Sequence, residues 1–274
     1  MMQAAVPGNV PPEIMTLEQP GQVVAVHEAY TELADVICTN TFGANRVKLD
    51  AVGLSDRVRE LNERAVGLAR DAAAPGTLVA GDIGPTGKLV EPLGELSFKG
   101  AYDAFAEQAR ALAEGGVDFI LIETMTELRE AKAALLAARE TTGLPVMITM
   151  TFGGNYATPT GTDPATAANV LSSMGAFAVG ANCSTGPSLM VEVVGRMAQT
   201  VATPLLAQPN AGLPELVDGE TVFKVGPDEF AEGMERLVTA GASFVGGCCG
   251  TTPAHIEGMR GRLGDRRPVP REVP

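Results

Sequence analysis

The chain has 274 residues and, with 33 acidic against 20 basic side chains, a formal net charge of −13. No basic face survives such a balance, which argues against nucleic acid and anionic membrane surfaces as partners. Hydrophobic residues at 45% supply a sizeable core, and with no tryptophan and 4% aromatics that core must be mostly Ala, Val, Leu, Ile and Met. The opening "MMQAAVPGNVPPEIM" has neither a basic n-region nor a continuous apolar run, and no stretch is long enough to span a bilayer. A cytoplasmic location is therefore expected, where thiols stay reduced, and the four cysteines point to metal, catalysis or burial rather than disulfides.

In chain order, short apolar runs predict strands at 34–42, 77–85, 117–125, 144–152, 177–184, 204–212 and 243–251. Helical patterns separate them. In "SFKGAYDAFAEQARALAEGG", Phe98, Tyr102, Phe105, Ala109 and Leu112 fall on one face. Later helices open with a capping residue followed by proline: Asp163-Pro164, Gly186-Pro187, Gly226-Pro227 and Thr252-Pro253. The alternation predicts parallel strands with crossover helices. A (β/α)8 TIM barrel is the natural closure, with a doubly wound open sheet as the runner-up. "TFGANR" after the first strand is not the glycine fingerprint that a dinucleotide-binding sheet carries there.

In either fold, chemistry sits at the C-terminal ends of strands. Residues Thr39 to Thr41, Asp82 to Gly87, Glu123 and Thr124, Asn182 and Cys183, "QPNAG" at 208–212, and Cys248 and Cys249 all fall there. In a barrel these ends converge, so Cys183 can meet the adjacent pair. Three thiolates at one point suit Zn²⁺, and three protein ligands with an open fourth position is the pattern of a catalytic zinc. Adjacent cysteines can both ligate only where the backbone leaves the flat strand, which the flanking glycines permit.

The competing readings are isolated buried thiols and a strained vicinal disulfide. Cys38, placed inside its strand, is expected to be a buried core thiol. His255, just inside a helix after Pro253, reads as a capping or packing residue, and His27 as structural. Glu123 either binds substrate or belongs to a hydrogen-bond network, and substrate is the reading preferred. Asn210 is either a turn residue in "PNAG" or a polar ligand at the mouth, and in isolation the turn has the better claim.

Together, "GGCCGTTPAHI", "GANCSTGP", "QPNAGLP", "TNTFGANR", "GDIGPTG" and "LIETM" resemble the homocysteine S-methyltransferase family. The nearest pattern is the homocysteine-binding module of cobalamin-dependent methionine synthases, from about residue 8 to residue 263. The resemblance implies a homocysteine-binding domain over residues 1–263, followed by a proline-rich tail at 264–274. It places the zinc ligands on Cys183, Cys248 and Cys249. It puts Asn210 at the fourth zinc position when substrate is absent, and Glu123 at the homocysteine amino group. The implied reaction is zinc-dependent methyl transfer to the homocysteine thiolate, giving methionine. The donor would be a methylated corrinoid or methyltetrahydrofolate system on a partner protein. The alternatives are a free-standing S-methylmethionine- or betaine-dependent enzyme, or an inactive zinc-binding subunit.

Members of that family begin with a strand ending in Asp-Gly-x-x-Gly-Thr. This chain lacks the motif, and "MMQAA" resembles residues that usually follow it. The expectation is a TIM barrel lacking its first strand, with an open edge, lowered stability and weakened homocysteine binding.

Overall fold

Alanine sets the packing in the first half of the chain. The computed structural model describes residues 11–217 and 220–268, and the chain falls into two compact units that divide between Ile148 and Thr149. The expectation about "MMQAA" lies outside the described residues.

The first unit opens with helices α1 (Met15–Glu18) and α2 (Pro20–Thr31), then strand β1 (Val36–Cys38) and helices α3 (Arg46–Asp50) and α4 (Val58–Ala72). Strand β2 (Leu78–Ile83), helix α5 (Phe98–Gly115), strand β3 (Phe119–Met125), helix α6 (Leu128–Thr142) and the start of β4 (Val146–Met150) complete it. Helix α5 buries Ala101, Ala104, Ala109 and Ala111, and α6 buries Ala131, Ala134 and Ala138. Small side chains at helical spacing let backbones approach closely, and Phe105, Leu112 and Leu135 fill what remains. This is how an aromatic-poor chain builds a dense core. Phe98 and Tyr102, expected on the buried face, are only half-buried, and the Tyr102 hydroxyl turns outward to Glu140 at 2.8 Å.

The second unit carries helix α7 (Pro164–Ser173), strand β5 (Ala178–Asn182), helix α8 (Pro187–Ala198) and strand β6 (Leu205–Gln208). A hairpin of β7 (Pro214–Val217) and β8 (Glu220–Phe223) follows, then α9 (Pro227–Thr239), β9 (Phe244–Val245) and α10 (Pro253–Leu263). Each of the four anticipated proline starts is an observed helix N-terminus, and the Asp163 carboxylate accepts from the Thr166 N–H at 3.0 Å.

The hydrogen-bonded strand order is β1-β2-β3-β4-β5-β6-β9, with β7 and β8 forming a separate antiparallel pair. Strand pairs β1–β2, β2–β3, β5–β6 and β6–β9 are parallel. Strand and helix alternate as a TIM-barrel series does, with seven strands in the sheet among the described residues. The strands are shorter than their apolar runs. Residues 34–42 contain only Val36–Cys38 as strand, and 243–251 only Phe244–Val245. The apolar run continues past the ladder because the next residues turn into the loops that carry the polar groups. One close approach is demanding: a Cβ on Gly180 would lie 1.9 Å from the Leu206 carbonyl oxygen, so only glycine lets β5 and β6 pair as they do.

Candidate metal centre

Cys183 is the first residue past β5, and it leaves the strand in a left-handed conformation. Its φ is 60° and that of Ser184 is 59°. Two successive non-glycine residues in this region cost on the order of 1–3 kcal/mol each and persist only where the surroundings hold them. Here the Cys183 N–H donates to the Gln208 carbonyl at 3.0 Å, and the Thr185 N–H to the Cys183 carbonyl at 2.6 Å. The Asn210 N–H then donates to the Thr185 carbonyl at 3.1 Å. The end of β6 thus fixes the turn that aims the first thiol.

The adjacent pair follows β9 on a loop stitched to the same strand end. Gly246 donates to Ala207 at 3.0 Å, Cys248 to Pro209 at 2.9 Å, and Ala211 back to the Cys249 carbonyl at 2.9 Å. Asn210 is buried, and its carboxamide oxygen accepts the Cys249 N–H at 3.1 Å. The loop closes at Gly250, whose φ is 78° and whose Cβ, were it present, would meet Phe223 Cγ at 2.3 Å. Glycine is required there twice over, by dihedral and by space.

These turns bring three sulfurs together. Cys183 Sγ lies 4.0 Å from Cys249 Sγ, Cys248 Sγ lies 4.0 Å from Cys249 Sγ, and all three fall within 4.8 Å of one another. Four ligands at a Zn–S distance of about 2.3 Å in a tetrahedron sit about 3.8 Å apart, so the two 4.0 Å separations need to contract by only tenths of an ångström and the third by no more than about 1 Å. No disulfide joins the four cysteines, and the three clustered ones are half-buried, which leaves an accessible side for a further ligand. Among the described residues this is the one group of His, Cys, Asp or Glu side chains spaced to hold a metal ion.

The protons distribute unequally over the cluster. The Cys183 thiol is driven far below its ordinary value, first by hydrogen bonds from Cys248 and Cys249, with the Ser184 N–H and the Asn210 side chain adding to them. Cys249 is raised, first by its hydrogen bond to Cys183, with burial and the Cys183 charge adding to it. Soft anionic sulfur in a cage of this size suits zinc.

Other anticipated residues fall elsewhere. His255 forms a capping box with Thr252, its Nδ1 3.1 Å from the Thr252 N–H, while Nε2 meets the Val225 carbonyl at 2.9 Å. His27 is buried in α2. In the first unit, the register pairs Cys38 with Ala80 and Asp82 with Leu121, so alternation places Cys38, Asp82 and Glu123 on one face. Cys38 corrects the expectation of a core thiol: it is the last residue of β1 and only half-buried. Burial, then the Asp82 and Glu123 carboxyls, hold its thiol well above the usual range. Glu123 is half-buried in β3 and precedes Thr124, whose φ is 62°. Asp82 is 6% exposed, with Oδ1 lacking a partner, and burial next to Glu123 keeps its carboxyl well above the usual range.

Residue-by-residue reading missed the supports of this region. Glu130 on α6 accepts the Thr86 N–H of "DIGPTG" at 2.7 Å, and Glu127, the residue just before α6, accepts the Val90 N–H at 2.9 Å, so two buried acids at the start of one helix hold the stretch that follows β2. Their spacing just after "LIETM" was the only signal available.

The fold and the three-thiol centre define an α/β protein of the TIM-barrel type that presents a sulfur cage at the C-terminal ends of its strands. The chain belongs to the homocysteine S-methyltransferase family, whose model matches residues 4–263. It is 34% identical over 257 residues to the methionine synthase of Mycobacterium leprae, covering 89% of this chain and 21% of that protein. Identity to the methionine synthase of Mycobacterium tuberculosis is 33% over 274 residues, covering 95% of this chain and 23% of that protein. The chain thus spans less than a quarter of the length of these curated relatives. Among solved structures it resembles the metallated homocysteine methyltransferase MmuM from Escherichia coli, with a TM-score of 0.79 and 22% identity, covering 94% of this chain and 91% of that one. That likeness shows the fold. Among the described residues no helix is long and apolar enough to cross a membrane.

Proposed function

We propose that this chain transfers a methyl group to the sulfur of homocysteine, giving methionine, with Cys183, Cys248 and Cys249 as the ligands of a zinc ion. The observation that carries the reading is the approach of three sulfurs to within 4.8 Å of one another, with no carboxylate or imidazole among the spaced ligands. A donor set of thiols alone speaks against a hydrolytic zinc and for one that collects a further thiol. When bound, zinc supplies Lewis acidity that keeps a substrate thiol, with an ordinary pKa of about 8.5, as the nucleophilic thiolate.

The chain's own residues set the rest. Asn210 holds the Cys249 backbone with one lone pair of its carboxamide oxygen and keeps a second available, which fits a neutral stand-in that an incoming sulfur displaces. Glu123 is taken as the group that receives the substrate ammonium. Its half-buried place on β3 beside a left-handed Thr124 supports that role. The homocysteine-binding domain is taken as residues 1–263, with 264–274 as a tail, in line with the end of the family match.

For the donor, the likeness to methionine synthases supports a methylated corrinoid or methyltetrahydrofolate system. The test is turnover: zinc-loaded protein with homocysteine and, separately, free methylcobalamin, S-methylmethionine and betaine. Methionine formed with methylcobalamin supports the reading. Methionine only with the sulfonium or betaine donor moves the chain to the free-standing class. No methionine with any donor, together with no homocysteine binding, points to an inactive zinc-binding subunit.

A further inference from the structure

Asn182 is the last residue of β5, directly before the first cysteine, and it is fully buried. Its side chain runs between two groups. Oδ1 accepts from the Thr149 hydroxyl at 2.8 Å, and Nδ2 reaches Cys248 Sγ at 3.8 Å. Thr149 lies on β4 and is itself fully buried, and the hydroxyl of Thr151 donates to the Asn182 carbonyl at 3.0 Å. Two threonines of matching parity thus grip both the side chain and the backbone of one asparagine.

The polarity of this chain follows from chemistry. A metal-bound thiolate has lone pairs and no proton, so it can only accept. The Asn182 group facing Cys248 must then be the NH₂, which turns the carboxamide oxygen toward Thr149 and makes the Thr149 hydroxyl the donor. An amide could otherwise sit in either orientation. In a dry interior a polarised chain of this kind is stronger than its separate bonds. The Asn210 side chain lies beside Cys183 and its oxygen holds the Cys249 N–H, whereas the side-chain amide that faces Cys248 is that of Asn182.

We propose that Asn182, oriented by Thr149, is a positioning residue that donates an N–H···S hydrogen bond to the Cys248 thiolate. It fixes that sulfur's place in the metal site and draws electron density from it. The proposal rests on the three cysteines being metal ligands and concerns a residue outside that set. Hydrogen bonds of this outer kind usually govern metal affinity by 10- to 100-fold. They also stabilise sulfur lone pairs, so their loss moves sulfur-to-metal charge transfer to lower energy.

The experiment loads the full chain with Co²⁺ in place of Zn²⁺. It measures the thiolate-to-cobalt absorption band and, in parallel, Zn²⁺ affinity by chelator competition, for wild type, Asn182→Leu, Thr149→Val and Thr149→Ser. Asn182→Leu and Thr149→Val are each expected to shift the band to lower energy and to lose about 10-fold or more in affinity. Thr149→Ser, which keeps the hydroxyl, is expected to match wild type on both. A merely structural role would lower affinity without moving the band, and that result overturns the proposal. So do unchanged bands and affinities in both variants. If Asn182→Leu fails to fold, the Thr149 pair decides by the same criteria. Failure of the wild type itself to bind either metal would overturn the three-cysteine reading instead, and that is seen before any variant is compared.

Discussion

The carboxamide oxygen of Asn210 accepts the backbone N–H of Cys249 at 3.1 Å, across 39 residues of sequence. A strand-end side chain on one element therefore holds the backbone of a metal-ligand candidate on another. Asn210→Ala should leave that half-buried N–H unpaired at a cost of about 1–3 kcal/mol. Asn210→Asp, which keeps an acceptor, should lose less. Urea unfolding of the metal-free protein checks this, because it removes any contribution from metal binding.

One zinc per chain is expected in protein purified without chelator, measured by elemental analysis. The double variant Cys183→Ala with Cys248→Ala should retain none above background, since one thiol cannot replace the cage that three sulfurs form. Undiminished zinc in that variant would sink the assignment.

Homocysteine binding to the zinc-loaded protein should release a proton near neutral pH, because the thiol enters as thiolate. Calorimetry in buffers of different ionisation enthalpy reads the proton count directly. An analogue lacking the sulfur should bind more weakly and release none.

His27 is buried in α2 beside the fully buried Val23, its Nε2 has no partner, and burial lowers its pKa from 6.5 to about 4. The folded value lies below the unfolded one, so the unfolded chain takes the proton first. Stability is complete above pH 6.5 and falls as the pH drops toward about 4, by about 3 kcal/mol for this group. His27→Leu should flatten that part of the stability profile relative to wild type, as measured by unfolding midpoints at pH 7, 6, 5 and 4.

Gly250→Ala should destabilise the cysteine loop through both its left-handed φ of 78° and the clash with Phe223. The dihedral share is on the order of 1 kcal/mol. Adding Phe223→Ala should relieve the clash but not the dihedral, so the double variant should recover only part of the lost stability and zinc retention. A double-mutant cycle on thermal unfolding separates the two contributions. Full recovery would mean that the backbone strain is negligible.

The strands were legible because each is a short apolar run, and the later helices because a cap and a proline announce them within four residues. Both signals lie inside a local window, and so do the "CC" pair and its glycines. The hairpin of Pro214–Val217 and Glu220–Phe223 was not legible: Leu216 is 78% exposed, so burial imposes no pattern on it. The ends of strands were also misjudged, since an apolar run does not say where the ladder stops pairing.

What the sequence determined alone is therefore the alternation of strand and helix, and the presence of three thiols at strand ends. What only the tertiary structure decided is how those thiols meet: the left-handed turn at Cys183 and Ser184, the clasp of Asn210 on Cys249, and the line from Thr149 through Asn182 to Cys248. The physical reason is range. Propensity and periodicity act over neighbouring residues. A contact between residues 33 or 66 positions apart depends on strand register, which is set by the packing of whole elements and leaves no mark in any local stretch of the chain.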